Sequence, residues 1–231
     1  MPHALITGAN RGLGLEHCRQ LLERGWMISA AVRDPSAATD LKALDQGDGR
    51  LNLFAYDASD VSAAVKLAES VTAPIDLLFA NAGMMSGETR NFGTAGSEHF
   101  IDEMRVNALA PLALVEAFAD QVAKSEMKVI ALQSSRMGSI ADNDSGGAYG
   151  YRASKAALNA IGKSLSIDLR DRGIVTLVMH PGWVRTDMGG AGGLLTVEES
   201  VSGQLDLIAR AYGNAAMNGR FFHVSGEDLS W

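Results

Sequence analysis

His3-Ala4-Leu5-Ile6-Thr7-Gly8-Ala9-Asn10-Arg11-Gly12-Leu13-Gly14 carries the chain from an apolar run through a glycine-rich turn into a helical pattern. The apolar run reads as a buried strand. At the turn a Cβ would obstruct both the tight bend and the close approach of a pyrophosphate, which explains the glycines. An anion held there meets free N–H groups and the positive end of the helix dipole. The spacing is G-x-x-x-G-x-G, distinct from the G-x-G-x-x-G fingerprint, and it lacks the G-K-[ST] of a triphosphate loop. A plain strand-to-helix connection is the competing reading. Because the turn directly follows the first strand, the stretch predicts dinucleotide binding by Gly8, Asn10, Arg11, Gly12, Leu13 and Gly14.

Outward from this turn the same alternation repeats. Apolar runs at Met27–Val32, 51–56, 75–79, 128–133, 174–179 and 219–224 read as further strands. Helical patterns fill 13–24, 60–71, about 97–124, 149–172 and about 197–212, with Gly25 and Gly173 as stops and Asp60 as an acidic N-cap. Strands that are apolar on both faces and separated by helices imply a parallel sheet covered on both sides. Right-handed crossovers then give a doubly wound α/β fold: a seven-stranded parallel sheet with helices on both faces, in a single domain. No internal repeat or linker divides the chain.

The 231 residues are 47% hydrophobic, with 20 basic against 27 acidic side chains and a net charge of -7, which argues against a nucleic-acid or anionic-membrane surface. Cys18 is the only cysteine, so no intrachain disulfide or cysteine metal cluster can form, and a buried structural thiol is expected. His3, His17, His99, His180 and His223 are scattered without ligand spacing, so no metal is expected. The chain runs from Met1 directly into an apolar strand, and no apolar run approaches the ~20 residues of a membrane span. A cytoplasmic protein is the expectation.

The second strand ends in Ala31-Val32-Arg33-Asp34, where an acid ordinarily binds the NAD ribose about 20 residues after the glycine turn. Here Val32 takes that place and Arg33 follows, so pairing with a 2′-phosphate, aided by Arg11, predicts NADP over NAD; Asp34 keeps NAD open. Asp57, after the third strand, can accept from an adenine amino group or cap the next helix. Asn81-Ala82-Gly83 ends the fourth strand, where open α/β sheets bind ligands, and Asn81 can also tie neighbouring strands together. Tyr151 and Lys155 stand four residues apart on one helix face. An ammonium there would lower the phenol from its ordinary value of about 10 and make it a general acid or base. Tyr149 lacks a lysine at that spacing.

These motifs together resemble the short-chain dehydrogenase/reductase family: T-G-x-x-x-G-x-G, N-A-G after the fourth strand, a serine after the fifth, Y-x-x-x-K, and P-G after the sixth. Within it, Ser134-Ser135-Arg136-Met137-Gly138-Ser139 and His180-Pro181-Gly182-Trp183-Val184-Arg185-Thr186-Asp187-Met188 are most similar to sniffer-like carbonyl reductases and the bacterial C-factor group. The resemblance implies a nicotinamide-dependent oxidoreductase for a small carbonyl or alcohol. Tyr151 would be its proton donor or base, and Lys155 would tune that tyrosine and bind the nicotinamide ribose. Ser135 would bind the substrate oxygen, and Asn107 would hold a proton-relay water. Pro181, Gly182, Val184 and Thr186 would position the carboxamide.

The separation from Ser135 to Tyr151 is sixteen residues, about three more than in many family members, with the excess in a polar turn at 140–147; this leaves Ser134 and Ser139 as alternatives to Ser135. Met84, Met85, Met137, Trp183 and Met188 are expected to form an apolar substrate wall. A glycine-rich lid is expected at about 184–205, centred on 189–193. A homodimer through the two long helices is also implied. NAD-dependent alcohol oxidation and a signalling role with little turnover remain alternatives.

Overall fold

A computed structural model describes residues 1–93 and 97–231. Seven parallel strands form one sheet: β1 (His3–Thr7), β2 (Met27–Val32), β3 (Leu51–Ala55), β4 (Leu77–Ala80), β5 (Val129–Gln133), β6 (Val175–His180) and β7 (Arg220–His223). Their order is β3-β2-β1-β4-β5-β6-β7, so the chain reverses its winding between β1 and β4 and opens a crevice at their carboxyl ends. The doubly wound expectation holds.

The helices are α1 (Gly12–Glu23), α2 (Thr39–Lys42), α3 (Ala63–Ser70), α4 (Glu98–Met104), α5 (Ala110–Ala123), α6 (Tyr149–Asp168) and α7 (Val197–Ala211). One apolar layer gathers Leu21, Ile28, Phe79, Leu177, Val201 and Ile208, which places α1 and α7 on one face of the sheet. The other gathers Leu67, Leu78, Phe118, Val122, Leu158 and Val178, which places α3, α5 and α6 on the opposite face. The inner strands β1, β4 and β5 are buried along their whole length because alternate residues feed the two layers, and their patterns therefore read as continuous apolar runs, whereas the edge strands β3 and β7 are partly exposed.

Several boundaries differ from the sequence reading. Asp60 does not cap α3: its carboxylate accepts the Ser62 N–H at 3.0 Å in a local turn, and the helix begins later, at Ala63. The helical run expected at about 97–124 contains a π-turn over Arg105–Leu109, where the Ala110 N–H reaches back to the Arg105 carbonyl. The helical stretch Glu98–Ala123 has a window of mean hydropathy 1.2, long and apolar enough by composition to cross a membrane, contrary to the expectation that no such run exists. Half of that window is buried inside the protein, against the sheet. The run expected at 149–172 ends as an α-helix at Asp168 and continues as a 3-10 turn over Arg170–Arg172 before Gly173. Helix α2 has no counterpart in the sequence reading; its four residues are too short for a periodic signal.

Phe118 is fully buried in the layer beneath α5, whereas Val65 on α3 is 59% exposed. Phe118→Ala should cost about 3–5 kcal/mol and Val65→Ala less than about 0.5 kcal/mol, read as denaturant midpoints.

Candidate functional site

The glycine turn meets the end of β4 at the switch point. Gly8 takes a left-handed φ of 65°, and a Cβ there would come within 3.0 Å of the Ala82 Cα. A Cβ on Gly14 would run into the Gly8 carbonyl and lie 2.7 Å from Asn81 Nδ2. Asn81 donates from Nδ2 to the carbonyls of Thr7 at 2.9 Å and Gly8 at 3.3 Å, while Thr7 Oγ1 accepts the N–H groups of Asn81 and Ala82, each at 3.1 Å. The Asn81 amide is thus spent on holding the two strand ends together, the second of its two readings. No side-chain hydrogen bond caps the start of α1, so its first N–H groups are left without a side-chain acceptor. Asn10 and Arg11 are exposed, and Gly12 and Leu13 are half-buried. Arg11 does not point toward the end of β2: its guanidinium pairs with Asp187 Oδ2 at 2.6 Å, bridging the glycine turn to the segment after β6.

At the end of β2, Arg33 is exposed and its guanidinium has no hydrogen-bond or ion-pair partner among the described residues. Asp34 is engaged in its own turn, where Oδ1 accepts from Ser36 N at 2.8 Å and Ser36 Oγ at 2.5 Å. Those hydrogen bonds, the Ser36 hydroxyl foremost, hold its carboxyl below the usual range. Asp57 Oδ1 accepts from the Ser59 N–H at 2.9 Å and hydroxyl at 2.8 Å, ordering a turn rather than capping α3.

Helix α6 brings Tyr151 and Lys155 beside the end of β5. Tyr151 is 8% exposed and Lys155 is 4% exposed. The lysine Nζ donates to the Gln133 carbonyl at 2.7 Å and lies 5.8 Å from the centre of the Tyr151 ring. A Cβ on Gly83 would approach Asn107 Oδ1 to 3.2 Å and Lys155 Nζ to 3.5 Å, so these three positions share one corner. Asn107 is fully buried in the π-turn. Its Oδ1 accepts the Met84 N–H at 2.8 Å, and its Nδ2 donates to the Met84 carbonyl at 2.8 Å and Ser154 Oγ at 3.0 Å. Both amide protons are therefore committed to protein partners.

Ser135 lies two residues past the end of β5, where its Oγ accepts the Met137 N–H at 3.2 Å and its hydroxyl is near enough to the Tyr151 phenol to lower that phenol's pKa. The two alternative serines are engaged elsewhere: Ser134 Oγ donates to Asn159 Oδ1 at 2.6 Å, and Ser139 Oγ donates to the Trp231 carbonyl at 3.2 Å. Burial pushes the Tyr151 phenol up to about 12; the Ser135 hydrogen bond pulls it down, and the Glu103 carboxylate adds to the rise. The expected lowering by lysine is not found, because Lys155 is itself desolvated, down to about 8, and its ammonium bonds the Gln133 carbonyl rather than the phenol. Tyr149 is 44% exposed and packs near Phe92.

A cavity of about 510 Å3 joins these parts. Leu13 of the glycine turn, Ser135, Tyr151, and Pro181, Gly182, Val184 and Thr186 after β6 all line it. Met85, Met137, Trp183 and Met188 supply apolar wall, while Met84 is not among the lining side chains. The Pro181 carbonyl accepts from Ser200 Oγ at 2.7 Å, and Thr186 Oγ1 accepts the Gly189 N–H at 3.1 Å. Part of the expected lid, residues 197–205, belongs to α7, which is anchored by a capping box at Thr196 and Glu199 and by buried Val201 and Leu205. The stretch 189–193 folds back on Val184, with Trp183 Nε1 donating to the Gly189 carbonyl at 2.8 Å.

The family model described as short chain dehydrogenase matches residues 2–192. The chain belongs to the short-chain dehydrogenase/reductase family. C-signal from Myxococcus xanthus is 42% identical over 160 residues, spanning 69% of this chain and 95% of that protein. The carbonyl reductase Sniffer of D. melanogaster superposes with a TM-score of 0.91 at 32% identity, covering all of both chains. The NADPH-bound carbonyl reductase from chicken fatty liver superposes with a TM-score of 0.92 at 31% identity, covering 100% of this chain and 99% of that one.

Three positions in this dehydrogenase fold escaped the sequence reading. Glu103 is fully buried, accepting the Ser86 N–H at 2.6 Å and the Thr89 hydroxyl at 2.8 Å, and a Cβ on Gly150 would run into its carboxylate. Gly138 lets the turn after Ser135 sit on the Lys155 backbone, where a Cβ would come within 2.7 Å of the lysine carbonyl carbon. Gln133 matters through its carbonyl, which carries no side-chain signal.

Lys155 generates a linkage prediction. Its folded value of about 8 lies below the ordinary 10.5, so burial of the ammonium destabilises the fold fully below pH 8 and progressively less toward pH 10.5. The gap corresponds to roughly 3 kcal/mol. Lys155→Met should therefore raise stability at pH 7, with the advantage shrinking by pH 9.5, read as paired urea titrations; a pH-independent difference would refute the assignment.

Proposed function

We propose that this member of the family reduces small carbonyl compounds with NADPH. One observation carries the reading: Ser135 and Tyr151 line the same cavity as Leu13, which follows Gly12 in the glycine turn, so a carbonyl bound there would lie between two hydroxyl donors and the side on which the dinucleotide cradle opens. The cradle fits a dinucleotide, because Gly8 and Gly14 leave room that a Cβ would fill and the α1 N-terminus is uncapped. The unpartnered Arg33 suits a 2′-phosphate, and Asp34, held by Ser36, is poorly placed to bind a ribose hydroxyl. Asp57 Oδ2 remains available toward an adenine amino group. The NADPH named for the chicken carbonyl reductase is consistent with this choice.

The bound nicotinamide supplies the hydride. Ser135 holds the substrate oxygen and Tyr151 gives it a proton as negative charge develops. Burial keeps the Tyr151 phenol in its protonated form, the form that donates to a carbonyl oxygen. Lys155 provides a fixed positive charge behind the phenol and an ammonium for the ribose hydroxyls, and Asn107 holds the corner in which that ammonium sits. Pro181, Gly182, Val184 and Thr186 form the wall against which a carboxamide would rest. The segment from Val184 to Thr196 is the part that would move to admit it.

The kinship with C-signal supports a second reading, a dinucleotide-binding signalling or regulatory protein with little turnover.

Tyr151→Phe should keep NADPH affinity and lose about 10²–10⁴-fold in carbonyl reduction. Undiminished turnover would refute the proton-donor role, and wild type that binds NADPH without consuming it across a carbonyl panel would favour the second reading. Arg33→Ala should weaken NADPH about tenfold while leaving NADH nearly unchanged, measured as dissociation constants; equal losses for both would refute 2′-phosphate recognition.

A further inference from the structure

We propose that the cavity selects carbonyl substrates that carry a carboxylate, received by Arg90 and Arg136 at its mouth. This deepens the reductase reading and rests on it for the identity of the reacting group. In a chain of net charge -7, the charged side chains lining this cavity among the described residues are Arg90, Arg136 and Arg152 against the one acid Asp142. His180, also in the lining, adds no charge at neutral pH, since burial takes it down to about 3, with His223 and Arg136 adding to the fall. The mouth therefore carries an excess of two positive charges where the protein as a whole is acidic.

The three arginines are not equivalent. Arg152 is committed to the turn at 137–146: it donates from Nε to the Gly146 carbonyl at 3.2 Å, from an Nη to the Met137 carbonyl at 3.3 Å and from the other Nη to Ser145 Oγ at 2.9 Å. Its partners are neutral, so its charge is retained while its donors are used. Arg90 is exposed, and its guanidinium has no partner among the described residues; its backbone is pinned, with its carbonyl accepting the Ala148 N–H at 2.8 Å just before Tyr151. Arg136 follows Ser135 directly and has one ion-pair neighbour, Asp142 Oδ2, at a loose 3.9 Å. That carboxylate marks where an anion sits against the Arg136 fork without satisfying it. A planar guanidinium with free donors pairs bidentately with a carboxylate, and charge at the mouth of a low-dielectric cleft raises the local concentration of an anionic substrate. Met85, Met137, Trp183 and Met188 lie in the same cavity and suit an apolar spacer between the two polar ends. The expected apolar wall thus fits the body of the molecule and leaves its charged tail to the arginines.

The test compares 4-formylbenzoate with its methyl ester, which differ in charge and share the reacting aldehyde. Wild type should favour the acid by about tenfold in kcat/KM, with the preference shrinking as salt rises. Arg136→Gln and Arg90→Gln should each pull the acid-to-ester ratio toward one. Asp142→Asn, which removes the competing carboxylate, should raise it. An ester used as well as the acid, or a ratio unmoved by all three substitutions, would overturn the proposal. If neither aldehyde is reduced, the reductase reading fails separately. Calorimetry of the same two compounds with the NADP-loaded protein then decides carboxylate binding by itself, since equal affinities, or affinity for the acid unchanged in Arg136→Gln, would sink it.

Discussion

The buried Asn107 amide is the constraint on which the site's geometry depends. It accepts from and donates to the Met84 backbone while also donating to Ser154, so one side chain ties the segment after β4 to the helix that carries Tyr151 and Lys155. A fully buried amide left without these partners would carry a desolvation penalty of about 1–3 kcal/mol, so the arrangement is held as a unit. The π-turn that presents Asn107 follows α4, from which Glu103 fixes the segment through Ser86 and Thr89. Gly83 and Gly138 then allow the strand ends to close on Lys155 from two sides.

This tight closure sets the electrostatics. A phenol and an ammonium are both desolvated here, with the lysine Nζ 5.8 Å from the centre of the Tyr151 ring, and each is pushed toward its neutral form by burial. Burial holds the phenol in its protonated form, and the Glu103 carboxylate adds to that bias. The cost of holding Lys155 in this place is borne by the surrounding fold.

The alternation of apolar strands and amphipathic helices made the sheet and its winding legible, because burial on both faces leaves long apolar runs and glycine stops mark the helix ends. The two motifs that meet at the candidate site, the glycine turn and Tyr151 with Lys155, were visible for the same reason: each is defined by local spacing. Interactions that depend on distant backbone were not. Lys155 bonds the carbonyl of Gln133, Asp34 is held by its own turn, and Arg11 reaches Asp187 rather than the end of β2. Glu103 looked like one acid among the polar residues of a helix, and only the fold shows it buried beneath the site. The same limit applied to Asp60, whose preference for a local turn over a helix cap depends on Ser62.

The central claim is that a dinucleotide cradle and a protonated Tyr151 act on one carbonyl in one cavity. Single-turnover oxidation of bound NADPH by an aromatic aldehyde, followed in H2O and in D2O, tests it most directly. The account predicts stoichiometric oxidation that slows in D2O, because the phenol proton moves as the oxygen gains charge. Bound NADPH that survives the aldehyde unchanged, or oxidation indifferent to the solvent isotope, would contradict it.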